Sequence, residues 1–317
     1  MPLVTILIPT FNRAYLLKDA LQSAVSQTHQ ELEILILDDA SPDATCTVAD
    51  RFSHDPRVRY ICHTNNLGIA GNWRAGIESA RGEFFCLLHD DDTFDPTFVE
   101  TLLRPLQNDS SLILAFCDHW VMDADGVRLL GATDEARQRF CRTALSEGVL
   151  TDFAQSALID NSLPGGATLF RKSMIPSDFI TEQAKGSIDA WLFYRCVKTG
   201  YAAYYIPEKL MNYRAHSGGM SASMPLHMAE GHLFRYKEIL LDASLTRLHP
   251  KIKQQMAETL TAYGIALLAS SKRFDAREAL KQAMCISVSR RTAVAYALAC
   301  GGPVGTRIAA RLRQLTH

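Results

Sequence analysis

Residues 84–92 read Phe84-Phe85-Cys86-Leu87-Leu88-His89-Asp90-Asp91-Asp92, five apolar side chains followed directly by a histidine and three carboxylates. An uninterrupted apolar run of this length, closed by a polar cluster, reads as a strand buried on both faces. Such strands belong to parallel sheets covered by helices. Three adjacent carboxylates repel one another and are tolerated best where a cation or cationic ligand compensates them. Oxygen ligands suit Mg²⁺ or Mn²⁺, which keep several waters and bind substrate phosphates. The bland alternative is a solvated acidic turn that caps the helix expected near Phe98.

The same pattern recurs upstream. Val4–Ile8, Leu32–Leu37 and Val58–Ile61 are short apolar runs, and each is followed by polar residues: Thr10-Phe11-Asn12-Arg13, Asp38-Asp39 and Asn65-Asn66. Between them, apolar residues repeat at helical spacing in Leu16–Val25, Ala44–Phe52 and Ile69–Ala80. A βαβαβαβ order predicts an α/β fold with a mostly parallel central sheet flanked by helices. Ligands of such sheets bind beyond the carboxyl ends of the strands, so four polar clusters at equivalent ends converge on one crevice. The turn at Thr10–Arg13 offers backbone N–H groups to a phosphate or a polar base edge. Asp38 and Asp39 can either cap the following helix or accept from a nucleoside. Neither a GxGxxG fingerprint nor a GxxxxGK phosphate loop is present.

Downstream the signals are mixed. Leu112–Phe116 reads as a strand, Asp123-Ala124-Asp125-Gly126 as a turn, and Gln138–Asp152 fits neither template. Pro164-Gly165-Gly166 breaks the chain before the apolar run Ala167–Phe170. Ile188–Val197 reads as a helix ending near Gly200, and Tyr204–Ile206 and Leu210–Tyr213 as two further strands. Beyond about residue 222 only helical patterns appear, near 226–243, 250–271, 274–286 and 290–299. A last helix carries Arg307, Arg311 and Arg313 beside Ile308 and Leu312, a solvated face or a membrane-surface one.

The 317 residues suffice for one large domain and an appendage. With 33 Lys and Arg against 34 Asp and Glu, the chain lacks the basic excess of a nucleic-acid binder, so no nucleic-acid partner is expected. None of the eight cysteines forms a CxxC pair, which argues against a zinc ribbon and for reduced thiols. The segment MPLVTILIPTFNR lacks the basic start and long apolar core of a signal peptide, and no run approaches a membrane span. A cytoplasmic protein is expected, with peripheral contact to the inner face of a membrane through its C-terminal helices.

Four ordered stretches resemble glycosyltransferase family 2: VTILIPTFNR, LEILILDDASPD, NNLGIAGNWRAGIESARGEFFCLLHDDDTFDP and GSIDAWLFYRCVKTGYAAYYIPEKLMNYRAHSGGMS. They span roughly residues 3–222. The resemblance implies the GT-A fold, a Rossmann-like architecture, over residues 1–222, with a nucleotide-sugar donor half at 1–110 and an acceptor half at 111–222. Residues 223–317 form a helical C-terminal extension. It implies an inverting hexosyltransferase-type enzyme of polysaccharide or glycoconjugate biosynthesis. A nucleotide diphosphate sugar, UDP-sugar in the first place, is the donor. A hydroxyl on a glycan or lipid-linked sugar is the acceptor, and Mn²⁺ or Mg²⁺ is the cofactor.

By the same resemblance Pro9, Thr10, Phe11, Asn12, Arg13, Asp38, Asp39, Asn66, Gly68, Asn72, Arg74 and Asp90 face the donor nucleotide, with Asp39 on a uracil-type base. The family's DxD signature falls on His89-Asp90-Asp91, so a histidine takes its first position. Asp91, Asp92 and His216 are the implied metal ligands, and Asp189 is the general base. Ile188 stands where that aspartate usually has an acidic neighbour. Gly165, Gly166, Trp191 and Arg214 are placed near the acceptor, sugar or diphosphate, and Asp118 either faces that pocket or serves a turn. Three other readings compete. A nucleotidyltransferase would use a similar sheet and metal. A non-catalytic nucleotide-sugar binder would tolerate the departures at His89 and Ile188. An assembly protein would act through its C-terminal helices.

Overall fold

The computed structural model describes residues 1–216 and 226–301. The first half alternates as its sequence dictates: β1 (Val4–Thr10), α1 (Ala14–Val25), β2 (Leu32–Asp38), α2 (Thr45–Asp50), β3 (Val58–Cys62), α3 (Gly68–Ser79) and β4 (Phe84–Leu87). Then come β5 (Thr93–Phe94), α4 (Phe98–Asn108), β6 (Leu112–Met122), α5 (Leu130–Arg139), β7 (Gly148–Val149), α6 (Phe153–Leu158), β8 (Thr168–Arg171), α7 (Ile188–Lys198) and β9 (Ala202–Arg214). The helices α8 (Leu226–Leu241), α9 (His249–Ala269), α10 (Arg273–Ile286) and α11 (Arg290–Cys300) come last. The helix expected around Arg307, Arg311 and Arg313 lies outside the described residues.

All nine strands join one sheet, ordered β3-β2-β1-β4-β8-β6-β9-β5, with β7 on β9. The pairs β1–β2, β1–β4, β2–β3 and β6–β9 are parallel, while β8 runs antiparallel between β4 and β6. Ile6, Leu7, Ile8, Ile34, Leu35 and Ile36, which point alternately to the two faces, have no exposed surface, as expected of strands covered on both faces. From β1 the chain steps outward to β2 and β3, then returns to the other side of β1 as β4. The topological switch point therefore lies between β1 and β4, where crevices open in such sheets. This is the GT-A architecture the motifs imply, followed by C-terminal helices.

Two strands expected after residue 200 are one. β9 runs unbroken from Ala202 to Arg214, and exposed Pro207 and Glu208 bulge out between Ile206, paired with Cys117, and Lys209, paired with Asp118. The chain divides into two compact units. One comprises Met1–Glu182 with Ile188–Ser223 and holds the sheet, and the other comprises Gln183–Ser187 with residues 224–317 and holds the C-terminal helices.

Candidate active site

The polar clusters meet at the carboxyl end of β1, β2 and β4. Asn12 and Ala40, each two residues past a strand end, have φ of 56° and 62°, and Gly68 at the start of α3 has 70°. For Ala40 that left-handed backbone costs roughly 1–2 kcal/mol. It lets the chain turn sharply off the sheet so that the loops after β1 and β2 face one another. Asp39 joins three of these segments. Its N–H donates to Thr10 O (3.0 Å), its Oδ1 accepts from Leu67 N (2.6 Å), and its carbonyl accepts from Asn66 Nδ2 (3.2 Å). Asp39 Oδ2 makes no hydrogen bond to another described residue. Asp38 differs: Oδ1 accepts from Ser41 N and Oδ2 from the Tyr60 hydroxyl, so its carboxylate holds the loop. Asn72 is spent on Leu37 O and His63, and Arg74 donates to Ile180 O. Pro9 lies within β1, and Phe11 is exposed just beyond it.

The acidic turn divides its labour. Asp90 is buried, accepts from Thr10 Oγ1 (2.8 Å) and lies 3.2 Å from Arg13 Nη1. The same Nη1 reaches Asp91 Oδ2 at 2.9 Å. Burial, with Asp91's charge, pushes the Asp90 carboxyl up to about 6 against the pull of Arg13 and Thr10. Burial also opposes ionisation of Asp91, yet His89, His216 and Arg13 together hold it below the usual carboxylate range. His216 Nε2 stands 3.1 Å from Asp91 Oδ2. Asp92 points inward: Oδ1 accepts from Arg214 N (2.9 Å) and Oδ2 faces His89 Nδ1 (3.2 Å). Burial raises Asp92. Burial works against protonation of His89, but Asp92, Asp91 and Asp189 outweigh it and raise the imidazole to about 9.

The other wall comes from the break before β8. A side chain on Gly165 would place its Cβ 3.0 Å from Asp189 Cβ. One on Gly166 would lie 2.9 Å from Met211 Cε and 3.4 Å from His89 Nδ1. The glycine pair thus lets Asp189 and His89 both approach the same stretch of backbone. Asp189 sits in the first turn of α7, where Oδ1 accepts from Ala190 N at 2.7 Å. His89 stacks on Trp73 of α3, with centroids 5.9 Å apart. Trp191 is buried edge-on against Tyr194.

Two further residues are structural. Arg214 is 5% exposed and its guanidinium is fully engaged: Nε on Asp91 O, Nη1 on Ala124 O and Nη2 on Asp19. It fastens the end of β9 to the acidic turn. Asp118, the residue read as a pocket or turn aspartate, has no exposed surface. It holds the Nε atoms of Arg137 (2.6 Å) and Arg142 (2.9 Å) and the Tyr205 hydroxyl (3.1 Å).

Residues 5–151 match the family model described as Glycosyl transferase family 2. That segment, a little under half of the chain, is similar to glycosyl transferase family 2. Among curated relatives, an uncharacterized glycosyltransferase of Rickettsia typhi is 28% identical over 218 residues, 68% of this chain and 64% of that one. The GalNAc(5)-diNAcBac-PP-undecaprenol β-1,3-glucosyltransferase of Campylobacter jejuni is 34% identical over 119 residues, 37% of this chain and 38% of its own. The chain spans less than two thirds of the length of such relatives. Residues 1–349 of Staphylococcus aureus TarS, bound to UDP-GlcNAc, superpose with a TM-score of 0.64 at 15% identity, covering 98% of this chain and 89% of that fragment. The Pyrobaculum calidifontis mannosyltransferase PcManGT with GDP-Man and Mn²⁺ gives 0.58 at 18%, covering 99% and 87%. These structures share the fold of this chain well beyond the segment that the family model matches.

The donors fit a divalent cation in part. Asp91 and His216 offer a carboxylate oxygen and an imidazole nitrogen side by side, a set that Mn²⁺ and Mg²⁺ accept when waters and phosphates complete the shell. Asp92, the third ligand the resemblance implies, is turned away toward Arg214 N and His89. No cluster of three His, Cys, Asp or Glu arranged for a metal occurs among the described residues. Sequence reading missed the bridge that Arg13 makes to Asp90 and Asp91. Its signal was a lone arginine after β1 facing a triple acid, and it needed the β1–β4 adjacency to be seen.

Proposed function

We propose that the protein is an inverting glycosyltransferase. It moves a sugar from a nucleoside diphosphate donor, a UDP-sugar before others, to a hydroxyl of a glycan or lipid-linked sugar in polysaccharide or glycoconjugate synthesis. One observation carries the reading: Asp189 lies against Gly165 and His89 against the adjacent Gly166, close enough for the Asp189 charge to act on the His89 imidazole at the head of the acidic turn. A base for the acceptor and an anion-rich turn for the donor's diphosphate end then flank one space.

In this mechanism the loop after β1 and the open Oδ2 of Asp39 hold the nucleoside. Asp91 and His216 would hold a Mn²⁺ or Mg²⁺, which when bound would supply positive charge for the diphosphate. Asp189 takes the proton of the acceptor hydroxyl as its oxygen bonds to the anomeric carbon. The bond from that carbon to the diphosphate oxygen breaks, and its electron pair leaves with the nucleoside diphosphate. A general base of this kind contributes about 10²–10⁴-fold. His89 stays on Trp73 and Asp92 and keeps a positive charge beside the acids. Arg13 offsets the repulsion between Asp90 and Asp91, and Arg214 fixes the turn. The names of relatives support this reading: one is bound to UDP-GlcNAc, another acts on a polyprenyl-diphosphate-linked glycan. No helix among the described residues is long and apolar enough to cross a membrane. We place the reaction in the cytoplasm, at the inner membrane face, with peripheral contact through the C-terminal helices.

The test is calorimetric titration with UDP, GDP, CDP and ADP, each with and without Mn²⁺, followed by transfer assays with the sugar donors of the nucleotide that binds. UDP binding that needs the metal and is lost in Asp91→Ala supports the donor site. Binding of another nucleotide keeps the reaction class and changes the donor. Binding of none of them overturns the proposal.

A further inference from the structure

The near-zero net charge conceals a segregation. Residues 1–225 carry 19 Lys and Arg against 28 Asp and Glu, whereas residues 226–317 carry 14 against 6, so the two parts stand at −9 and +8. A surplus of that size in the sequence beyond residue 225 is a statement about partners rather than about fold.

Within the helical unit four of the basic residues are placed where helices gain nothing from them. The first turns of α9 and α11 contain no acid, yet Lys251 and Lys253 lie near the start of α9, and Arg290 and Arg291 open α11. Cations at these ends oppose the helix dipole. Lys253, Arg290 and Arg291 are exposed and make no ion pair with another described residue. Both helix starts border one cavity of about 430 Å³, lined by Pro250, Lys253 and Gln254 of α9 and by Ser287, Ser289 and Thr292 at the start of α11. Only one acid lines it, Glu258, which accepts from Gln254 Nε2. Beside the arginines Val288 is 71% exposed, and Val294 on α11 is 50% exposed. The face therefore combines excess positive charge, a recess and apolar side chains directed outward.

We propose that this face, formed by the starts of α9 and α11, docks on an anionic phospholipid surface. Lys253, Arg290 and Arg291 meet headgroup phosphates, and Val288 enters the boundary between headgroups and acyl chains. A polyanion without an apolar layer, such as RNA, would satisfy the charges but leave Val288 in water, so the lipid surface fits better. The inference deepens the reading of the C-terminal helices as a peripheral membrane contact, and it rests on that reading.

The experiment is flotation of the full chain with vesicles of phosphatidylcholine alone and of phosphatidylcholine mixed with phosphatidylglycerol, across a salt series. Binding is expected only to the mixed vesicles, falling as salt rises. The triple variant Lys253→Gln, Arg290→Gln, Arg291→Gln should weaken it about a hundredfold. Removing the two arginines relieves an adverse dipole contact, so the variant should fold, as circular dichroism would verify. The single variant Val288→Ser should weaken vesicle binding and leave any binding to polyuridylate unchanged. Equal binding to both vesicle types, no binding, indifference to the triple variant, or tighter binding to polyuridylate would each overturn the proposal. Titration of the same triple variant with the nucleotide that the wild type binds separates the two claims. Retained nucleotide binding with lost flotation is expected, and failure of the wild type to bind any of the four nucleotides would sink the proposed function alone.

Discussion

Thr10, the last residue of the first strand, donates its hydroxyl proton to Asp90, which lies 80 positions away just past the fourth strand, at 2.8 Å. The bond closes the switch point of the sheet, because Thr10 and Asp90 leave adjacent parallel strands side by side. Both are buried, so neither finds a substitute in water. Replacing Thr10 by Val keeps the shape and removes the donor. A stability loss of roughly 1–3 kcal/mol is expected, read as a lower urea midpoint at unchanged slope.

Stability should fall as pH rises through two windows. The Asp90 carboxyl is raised to about 6 from 3.8 by burial, so the folded state holds its proton more tightly, and the associated stability is lost between about pH 4 and 6. Against its burial, His89 is raised to about 9 from 6.5 by Asp92, Asp91 and Asp189. Its contribution is complete below 6.5 and lost toward 9. Asp91 acts in the opposite sense, since its lowered value contributes above its unfolded value and is lost in acid. The check is Tm against pH from 6 to 9. The wild type should decline across it, and His89→Gln should be flatter. Parallel curves would rule out the ion pair with Asp92.

Asp189→Asn should bind UDP like the wild type and lose transfer by about 10²–10⁴-fold. The substitution keeps the side chain's shape beside Gly165 and removes its basicity. Transfer at the wild-type rate would show that another group takes the proton.

Gly165→Ala tests the closeness of that wall. The added methyl meets Asp189 Cβ at 3.0 Å, so the carboxylate must shift by a few tenths of an ångström. Misplacement of a reacting group on this scale should lower kcat roughly tenfold and leave UDP affinity unchanged. A raised UDP dissociation constant would instead place Gly165 on the donor side.

Asp91→Ala should leave the fold intact, because it removes one of three crowded carboxylates. It should abolish the part of UDP affinity that depends on Mn²⁺, measured by titration with and without the ion. Metal-dependent binding that survives in the variant would exclude Asp91 as a ligand.

The parallel half was legible because its strands are uninterrupted: Val4–Ile8 and Leu32–Leu37 allow no helical stripe, and their flanking polar clusters mark the strand ends. The second half was less so, for local reasons. Pro207 and Glu208 look like a break between two strands, and only the bulge opposite Cys117 and Asp118 reveals one strand continuing past them. Leu130–Arg139 is a helix with a single buried residue, Thr133, so it has no apolar stripe to read. At the site, residue types were readable but partners were not. Whether an aspartate keeps one oxygen without a hydrogen bond to a described residue, like Oδ2 of Asp39, or spends it on a backbone N–H, like Asp92 on Arg214, depends on strand order. So does the pairing of Arg13 with acids 77 and 78 positions away.

The fastening of β9 onto the acidic turn has a bearing on how this protein can be cut and recombined. A fragment ending near residue 110 would carry every motif of the donor half, yet it would expose the edge of β4 where β8 belongs and release the turn from Arg214. Bare edges of that kind recruit foreign strands. Chimaeras with proteins of the same fold should therefore be joined after β9, with the donor loops exchanged as insertions into an intact sheet, rather than at the midpoint where the sequence changes pattern.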